Sequence, residues 1–540
     1  MRPKSITTLF LSTVMIGLPI SPVYASPPKA PDINISTVGK QVIVNFAPIL
    51  GAEGYRLYYA EFPSLSLIQS IDLGNKTQFK TTLEDIHYFA SAVKSYNTEG
   101  ESGYSNIEFA SLNEDLLGGD ITLFDETSHA FSSPSPNLDE EGLDVHLTGD
   151  AEFEQTFVTA PATINSGVGP LFNNTSCEAC HPKDGRGAPP EEGGKLDTMF
   201  LRISVLGTDP DNCDGPKPVP GFGTQLFQRA TFGVQPQADV TVHYKEETRH
   251  FADGEAYSLR TPSYDVIPYT PFPADIMFSP RLAPPVFGRG LMDAIPEATI
   301  LALADEQDID GDGISGKANY VCDPRTKKLA LGRMGLKANS VDSFIQNAGA
   351  FRNDIGVSNH IFPTDSSANF PQGDGRADDP EIDEQRLDDV TFYVQTLAVP
   401  ARRNIGKDSV KKGQLLFGLA GCGSCHIPTL RTGELEGVKE VSNQIIHPYT
   451  DMLLHDMGDG LADNRPDFKA DGKEWRTPPL WGIGLTKTVH NHTFFLHDGR
   501  ARNMMEAIMW HDGEAEKSKE YVNQLSKTER EFLVEFLNSL

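Results

Sequence analysis

Cys177-Glu178-Ala179-Cys180-His181 and Cys422-Gly423-Ser424-Cys425-His426 are two copies of one pattern, Cys-x-x-Cys-His, 245 residues apart. Two thiols a helical turn apart can add to the two vinyl groups of one porphyrin, and the adjacent imidazole can then reach the iron. Each copy is therefore the attachment signature of c-type haem. A zinc site would want a second cysteine pair close by, and a redox dithiol does not require the trailing His. The reading is two covalently bound haem c groups, with Cys177, Cys180, Cys422 and Cys425 as attachment thiols and His181 and His426 as proximal iron ligands.

Residues 1–25 carry Arg2 and Lys4, an apolar run from Leu9 to Leu18, and small residues before Ser26, the pattern of a secretory signal peptide. This predicts export, most naturally to a bacterial periplasm, where c-type haem is attached. No other segment has the apolar length to span a bilayer, so no transmembrane segment is expected. With four cysteines assigned to haem, Cys213 and Cys322 remain, and an oxidising compartment makes a disulfide between them the default, with free buried thiols as the alternative. The 46 basic and 75 acidic residues give a net charge of −29, which argues against a nucleic-acid partner. That charge suits either attraction of a basic electron-donor protein or the plain solubility of an exported chain.

The 540 residues divide by pattern into four parts. After the signal, residues 26–112 read as a small all-β sandwich: Val42–Phe46 and Tyr55–Tyr59 are short β-rich runs separated by Pro48, Gly51 and Gly54. Residues 113–400 form a first haem region that begins with a polar stretch around Ser132–Pro136 and closes with a helical pattern at Arg386–Leu397 before Pro400. Residues 401–540 form a second haem region. There a helix over Val410–Phe417 leads into Cys422, and Ser526 caps a terminal amphipathic helix carrying Phe532, Phe536 and Leu540. The expected fold class is mainly α, two cytochrome c-like di-haem domains with long irregular loops, preceded by the sandwich.

An internal repeat supports duplication. Ala283-Pro284-Pro285-Val286-Phe287-Gly288-Arg289-Gly290-Leu291 aligns with Thr477-Pro478-Pro479-Leu480-Trp481-Gly482-Ile483-Gly484-Leu485, apolar on apolar and aromatic on aromatic. Each copy follows its own attachment motif and precedes a Glu-Ala step, Glu297-Ala298 and Glu506-Ala507. Acidic residues at Asp308, Asp310 and Asp312, a backbone carbonyl at Ile314, and Gly at the sharp turn resemble a calcium loop, with Asn319 where a bidentate Glu would fall; a solvated acidic turn is the alternative.

Two resemblances follow. The run Gly51–Tyr59, with Tyr88–Val93 and Asn97–Asn106, resembles a fibronectin type III domain, with Phe46 where that family usually has Trp. It reads as an accessory module: a spacer, or a binder of glycan or partner. Gly169-Pro170-Leu171-Phe172-Asn173, Asp184-Gly185-Arg186-Gly187, Ser279–Pro285, His455-Asp456-Met457-Gly458, and Arg476-Thr477-Pro478-Pro479 leading to Leu496-His497-Asp498-Gly499-Arg500 resemble the di-haem (thiol oxidoreductase-like) oxidoreductases over residues 115–540. That family is related to bacterial di-haem cytochrome c peroxidases and MauG-type enzymes.

The resemblance implies one electron-transfer haem with two protein ligands and another haem open to an oxidant. Matching the segment after His497 onto the peroxidases places His511 where they carry an iron-ligating Met, with Met457 as the alternative. Aligning the halves through Glu297-Ala298 and Glu506-Ala507 sets Ala302 opposite His511, and no His occurs between His181 and His243. The first haem is thus expected to bind small ligands, with Glu297 as an acid–base candidate or a solvated helix-start residue. The implied activity is a peroxidase-like oxidoreductase. It would take electrons from a small cytochrome or cupredoxin and pass them from the second haem to peroxide or another small oxidant at the first. MauG-like oxidation of a partner protein, or a non-catalytic electron carrier, are the alternatives.

Overall fold

The computed structural model describes residues 26–62, 65, 67–83 and 87–540; the expected signal peptide, 1–25, lies outside them. The N-terminal part is a sandwich of eight strands: β1 (Ile33–Val38), β2 (Gln41–Phe46), β3 (Gly54–Glu61), β4 (Gln69–Gly74), β5 (Gln78–Thr82), β6 (Phe89–Asn97), β7 (Gly100–Glu101) and β8 (Glu108–Ala110). One sheet runs β1-β2-β5 and the other β4-β3-β6-β7, with β8 also on β6. Alternation decides the inner face: Val42, Val44 and Phe46 are buried in β2 while Gln41 is exposed. Val44 and Phe46 meet Tyr55, Leu57 and Val93 from the opposite sheet, and the Phe46 and Tyr55 rings pack edge to face at 4.7 Å.

Two crossed helix pairs follow, one for each attachment motif. In the first, α1 (Glu140–Glu154) packs on a helix at Glu384–Thr396. A Cβ on Gly149 would run into the carbonyl of Asp389, so only Gly lets the two backbones approach this closely. In the second, the helix at Asp408–Leu419 packs on the terminal helix at Lys527–Ser539, and Gly413 meets the carbonyl of Phe532 in the same way. Four residues beyond each glycine stands a phenylalanine, Phe153 and Phe417. Each ring lies 6.4 Å from its own motif histidine, His181 or His426. The duplication read from the Pro-Pro repeat is present in three dimensions: Gly288 and Gly482 both take left-handed φ, 72° and 71°, as N-caps, and Gly290 and Gly484 abut the carbonyls of Gln395 and Asn538.

The mainly-α expectation is wrong. Helix and strand occupy 24% and 26% of the described residues. Beyond the sandwich, the longest strands come from an insertion between the first motif and Pro284. Strand Met199–Asp209 pairs antiparallel with Met277–Leu282, and a hairpin of two 13-residue strands, Ala238–His250 and Ala256–Pro268, extends from it. Val240, Val242, Tyr264 and Val266 alternate along this hairpin, inside the region 113–400 expected to be helical with insertions. The hairpin reaches the C-terminal half: Arg260 donates to the carbonyls of Gly499 (2.9 Å) and Arg500 (3.0 Å). A disulfide joins Cys213 of the insertion to Cys322 on the strand Tyr320–Asp323.

The remaining helices, in chain order, are α2 (Arg289–Ala294), α3 (Glu297–Leu303), α4 (Ser343–Ala350), α5 (the Glu384–Thr396 helix above), α6 (Asp408–Leu419), α7 (Thr486–His490), α8 (Met504–Met509), α9 (Glu516–Gln524) and α10 (Lys527–Ser539). No helix among the described residues is long and apolar enough to cross a membrane.

Candidate haem sites

Both attachment motifs fold as tight turns in which the first cysteine's carbonyl accepts the histidine's backbone N–H, at 3.0 Å in each case. His181 Nδ1 lies 2.7 Å from the Pro284 carbonyl and His426 Nδ1 lies 2.8 Å from the Tyr449 carbonyl. A carbonyl can only accept, so Nδ1 carries the proton in both rings and Nε2 is left with its lone pair free, the tautomer an iron ligand needs. Burial depresses both imidazoles to about 4, which keeps them neutral at physiological pH, the form an iron ligand needs. Burial also pushes the thiols of Cys177, Cys180 and Cys422 up to about 12. That disfavours the thiolates a zinc site or a redox dithiol would use, and the motif cysteines form no disulfide.

Each motif opens into its own cavity. The first is lined by Cys177, Cys180 and His181, with Phe200, Arg202, Arg281 and Phe351. The second is lined by Cys422, Cys425 and His426, with Trp475, Arg476, Trp481 and Leu537. Pro284, Arg289 and Leu336 line both, so the two cavities share a wall.

The ends of two short helices reach the two cavities. Asp342 caps α4, its carboxylate accepting from Ile345 N at 2.8 Å, and Asn503 caps α8, accepting from Glu506 N at 2.9 Å. Counted from these caps, Ser343, Gln346, Asn347 and Ala350 line the first cavity, and Met504, Ala507, Ile508 and His511 line the second at the same four offsets. The structural counterpart of His511 is therefore Ala350. Ala302, the partner inferred from the Glu-Ala steps, is on α3, and no residue of α3 lines either cavity. Glu297 is exposed at the start of α3, outside both cavities, so the site gives it no acid–base role. The acidic group that does line the first cavity is Asp354, its carboxyl raised by burial, its Oδ1 accepting from Gln225 Nε2 at 2.7 Å.

His511 sits in the second cavity with its Nδ1 donating to the Ala507 carbonyl at 2.8 Å, so its Nε2 is free as well. Burial lowers its pKa, and it is close enough to His426 to depress that imidazole further. Met457 also lines this cavity. His455 does not compete as a ligand: Asp451 Oδ2 holds its Nε2 at 2.7 Å and Glu514 Oε2 holds its Nδ1 at 2.6 Å.

The calcium-type ligand set is not assembled. Asp308, Asp310 and Asp312 accept from the backbone N–H groups of Gly313, Asp312 and Ile314 within their own turn. Ile314 lines the second cavity. Asn319 is buried elsewhere, donating to the carbonyls of Lys337 and Asp467. The carboxylates that converge are Asp305, Asp308 and Asp310.

The residues around the cavities suit haem. Arg186, Arg289 and Arg476 line the second cavity, form no ion pair among the described residues, and are held by burial near 10, 10 and 9. In the first cavity, by contrast, the buried Arg281 is already paired, its Nη2 3.7 Å from Asp463 and 3.6 Å from Asp467. Buried cations lacking anionic partners are costly unless an anionic ligand completes them, and haem carries two propionates. Neutral imidazoles, paired thiols, apolar walls and unpaired guanidiniums together match a porphyrin. The sequence reading missed Gln346, Asn347, Asp354 and Arg289; the cap at Asp342 ahead of an apolar-periodic run, parallel to Asn503, was the available signal.

A family model described as "Di-haem oxidoreductase, putative peroxidase" matches residues 112–540. No curated protein matches the chain. Among solved structures, the sandwich is similar to the third fibronectin III domain of human KIAA0343 protein (25% identity, 16% of this chain and 82% of that chain, TM-score 0.14). It is also similar to the FN5 domain of Drosophila Lar (18%, 15% and 94%, 0.14) and to the chicken CNTN1 FN1-FN3 domains (17%, 16% and 31%, 0.15).

Proposed function

Because this chain belongs to the di-haem oxidoreductase family, we propose that it is a peroxidase-like enzyme whose two c-type haem sites divide the work, the second passing electrons and the first meeting the oxidant. The observation that carries this reading is the pair His511 and Ala350: the same position over the two cavities holds an imidazole in one and a methyl group in the other. When bound, haem supplies an iron that stores an electron where both axial positions are filled and reacts with a small oxidant where one is open. His426 and His511 would hold the second group from both sides, and His181 would hold the first from one side only.

The chain's own groups around the first cavity suit peroxide. Gln346 and Asn347 present amides that can donate to an oxygen atom or accept from it. Asp354, with its carboxyl raised by burial, can hold a proton and deliver it to a departing oxygen. Phe153, Val390 and Val394 wall off water on the proximal side. Arg289, in the shared wall, is placed to hold carboxylates from both sides and keep the two groups adjacent.

The donor in this proposal is a small basic electron-transfer protein. Ala515 and Ser518 line the second cavity, Lys517 between them donates to the Asp312 carbonyl of the acidic turn at 2.6 Å, and the whole chain carries −29. Export to the periplasm fits the signal-like residues 1–25 and the Cys213–Cys322 disulfide. The experiment is peroxide turnover by the haem-loaded protein with a reduced small cytochrome as donor. Rapid donor oxidation supports the reading. Oxidation of a partner protein's side chains without cytochrome turnover would favour a MauG-like enzyme, and neither reaction would leave an electron carrier.

A further inference from the structure

The sandwich reads from sequence as a spacer or a binding module, yet it packs against residues around the second haem site. We infer that Tyr88 and Phe62, both in the sandwich, are positioning residues for His426 and set the redox character of the second haem. The inference rests on the assignment of His426 as that haem's proximal ligand.

The link is the segment His447-Pro448-Tyr449. The Tyr449 carbonyl accepts from His426 Nδ1 at 2.8 Å, and Tyr449 takes φ 55°, a left-handed conformation that a bulky residue keeps only when its surroundings hold it. The holding groups lie at the end of the sandwich and just beyond it. His447 N donates to the Leu117 carbonyl at 2.8 Å, and His447 Nε2 meets the Leu112 carbonyl at 3.1 Å. The Tyr88 ring lies 6.4 Å from the His447 ring.

Tyr88 is 2% exposed. Its hydroxyl donates to Glu114 Oε2 at 2.5 Å and accepts from Arg402 Nη1 at 3.0 Å and from Gln414 Nε2. Arg402 closes the network, donating to Glu114 at 3.0 Å and to Gln414 Oε1 at 2.6 Å. Buried polar networks of this kind fix geometry because each member left alone would lose its partners. Phe62, also buried, stacks on Phe417 at 6.4 Å, and Phe417 in turn packs 5.9 Å from Tyr449 and 6.4 Å from His426. The proximal imidazole is thus braced through Tyr449 on one side and Phe417 on the other, both backed by the sandwich.

The Nδ1–H···O=C bond raises the donor strength of a ligating imidazole, which favours the oxidised metal. Loosening Tyr449 weakens that bond and moves the potential of the second haem upward. The test uses the full-length haem-loaded chain with Tyr88→Phe, which keeps the ring and removes the network hydroxyl, and with Phe62→Ala beside Phe62→Leu. Potentiometric titration should show an upward shift of the second haem's midpoint in Tyr88→Phe and Phe62→Ala, with the first haem at its parental value, and near-recovery in Phe62→Leu. Reduced thermal stability with both potentials unchanged, or an equal shift at both haems, would overturn the inference. Failure of the underlying ligand assignment is read separately: His426→Met must change the second haem's spectrum whatever the sandwich does.

Discussion

Ala350 and His511 occupy the same place on two copies of one helix end, each eight residues past an N-cap, Asp342 for one and Asn503 for the other, and each lining a cavity that a motif histidine also lines. A methyl group cannot ligate iron and an imidazole can, so this one difference separates the two sites chemically.

Ala350→His should carry the second site's arrangement into the first. The expected outcome is loss of a high-spin ferric signal, a second low-spin species, and at least a tenfold fall in peroxide turnover, with both haems still covalently attached in the alkaline pyridine spectrum. Retention of the high-spin signal would show that the two helix ends are not equivalent over the iron.

His511→Gly should do the reverse at the second haem, turning its low-spin signal high-spin and cutting electron delivery while attachment persists, because His511 takes no part in thioether formation. If the low-spin signal persists, Met457, in the same cavity, becomes the ligand.

Gln346→Leu and Asp354→Asn remove, respectively, the amide and the proton-holding group that line the first cavity. Each should lower the rate of reaction with peroxide by roughly 10²-fold or more, the usual scale for a lost acid–base or hydrogen-bonding group, with the reduction potential of the second haem unmoved. Glu297→Gln, on exposed α3, should leave that rate unchanged.

Asp184 gives a pH prediction. It is buried, with its carboxyl raised to about 7 by desolvation and its Oδ1 accepting from the Tyr393 hydroxyl at 2.8 Å. The folded value lies above the unfolded carboxylate's, so the folded state binds the proton more tightly. This contribution to stability is fully present below about 4 and is lost as pH rises through 7. Asp184→Asn keeps the acceptor without the charge. Its melting temperature relative to the parent should be higher at pH 8 than at pH 5, and a pH-independent difference would show that the group is ionised in the fold.

The sequence exposed the attachment chemistry because it depends on short contiguous spacing: Cys177 to His181 and Cys422 to His426 need no tertiary information. The Pro-Pro-aromatic-Gly repeat was legible for the same reason, being nine contiguous positions whose two glycines meet helix carbonyls. The α4–α8 equivalence was not, because Phe344-Ile345-Gln346-Asn347 and Met505-Glu506-Ala507-Ile508 share no residue identities and match only in their caps and in the cavities beneath them. The β-insertion was missed because its strands are separated by up to about 70 residues and by Pro and Gly. The Met199–Asp209 strand pairs with Met277–Leu282 across the whole hairpin. The sandwich was readable from alternation in β2 and β3, while its docking through Phe62 and Tyr88 depends on long-range contacts with Phe417 and Arg402.

The central claim is that the first haem is the one open to oxidant. The most direct measurement is cyanide titration of the fully ferric protein followed by electron paramagnetic resonance, repeated in His511→Gly. The account predicts that cyanide converts a high-spin signal to low-spin at the first haem of the parent, leaves the His426/His511 signal unchanged, and reaches the second haem only in the variant. Cyanide binding first at the second haem of the parent, with the first remaining six-coordinate through protein ligands, would contradict it.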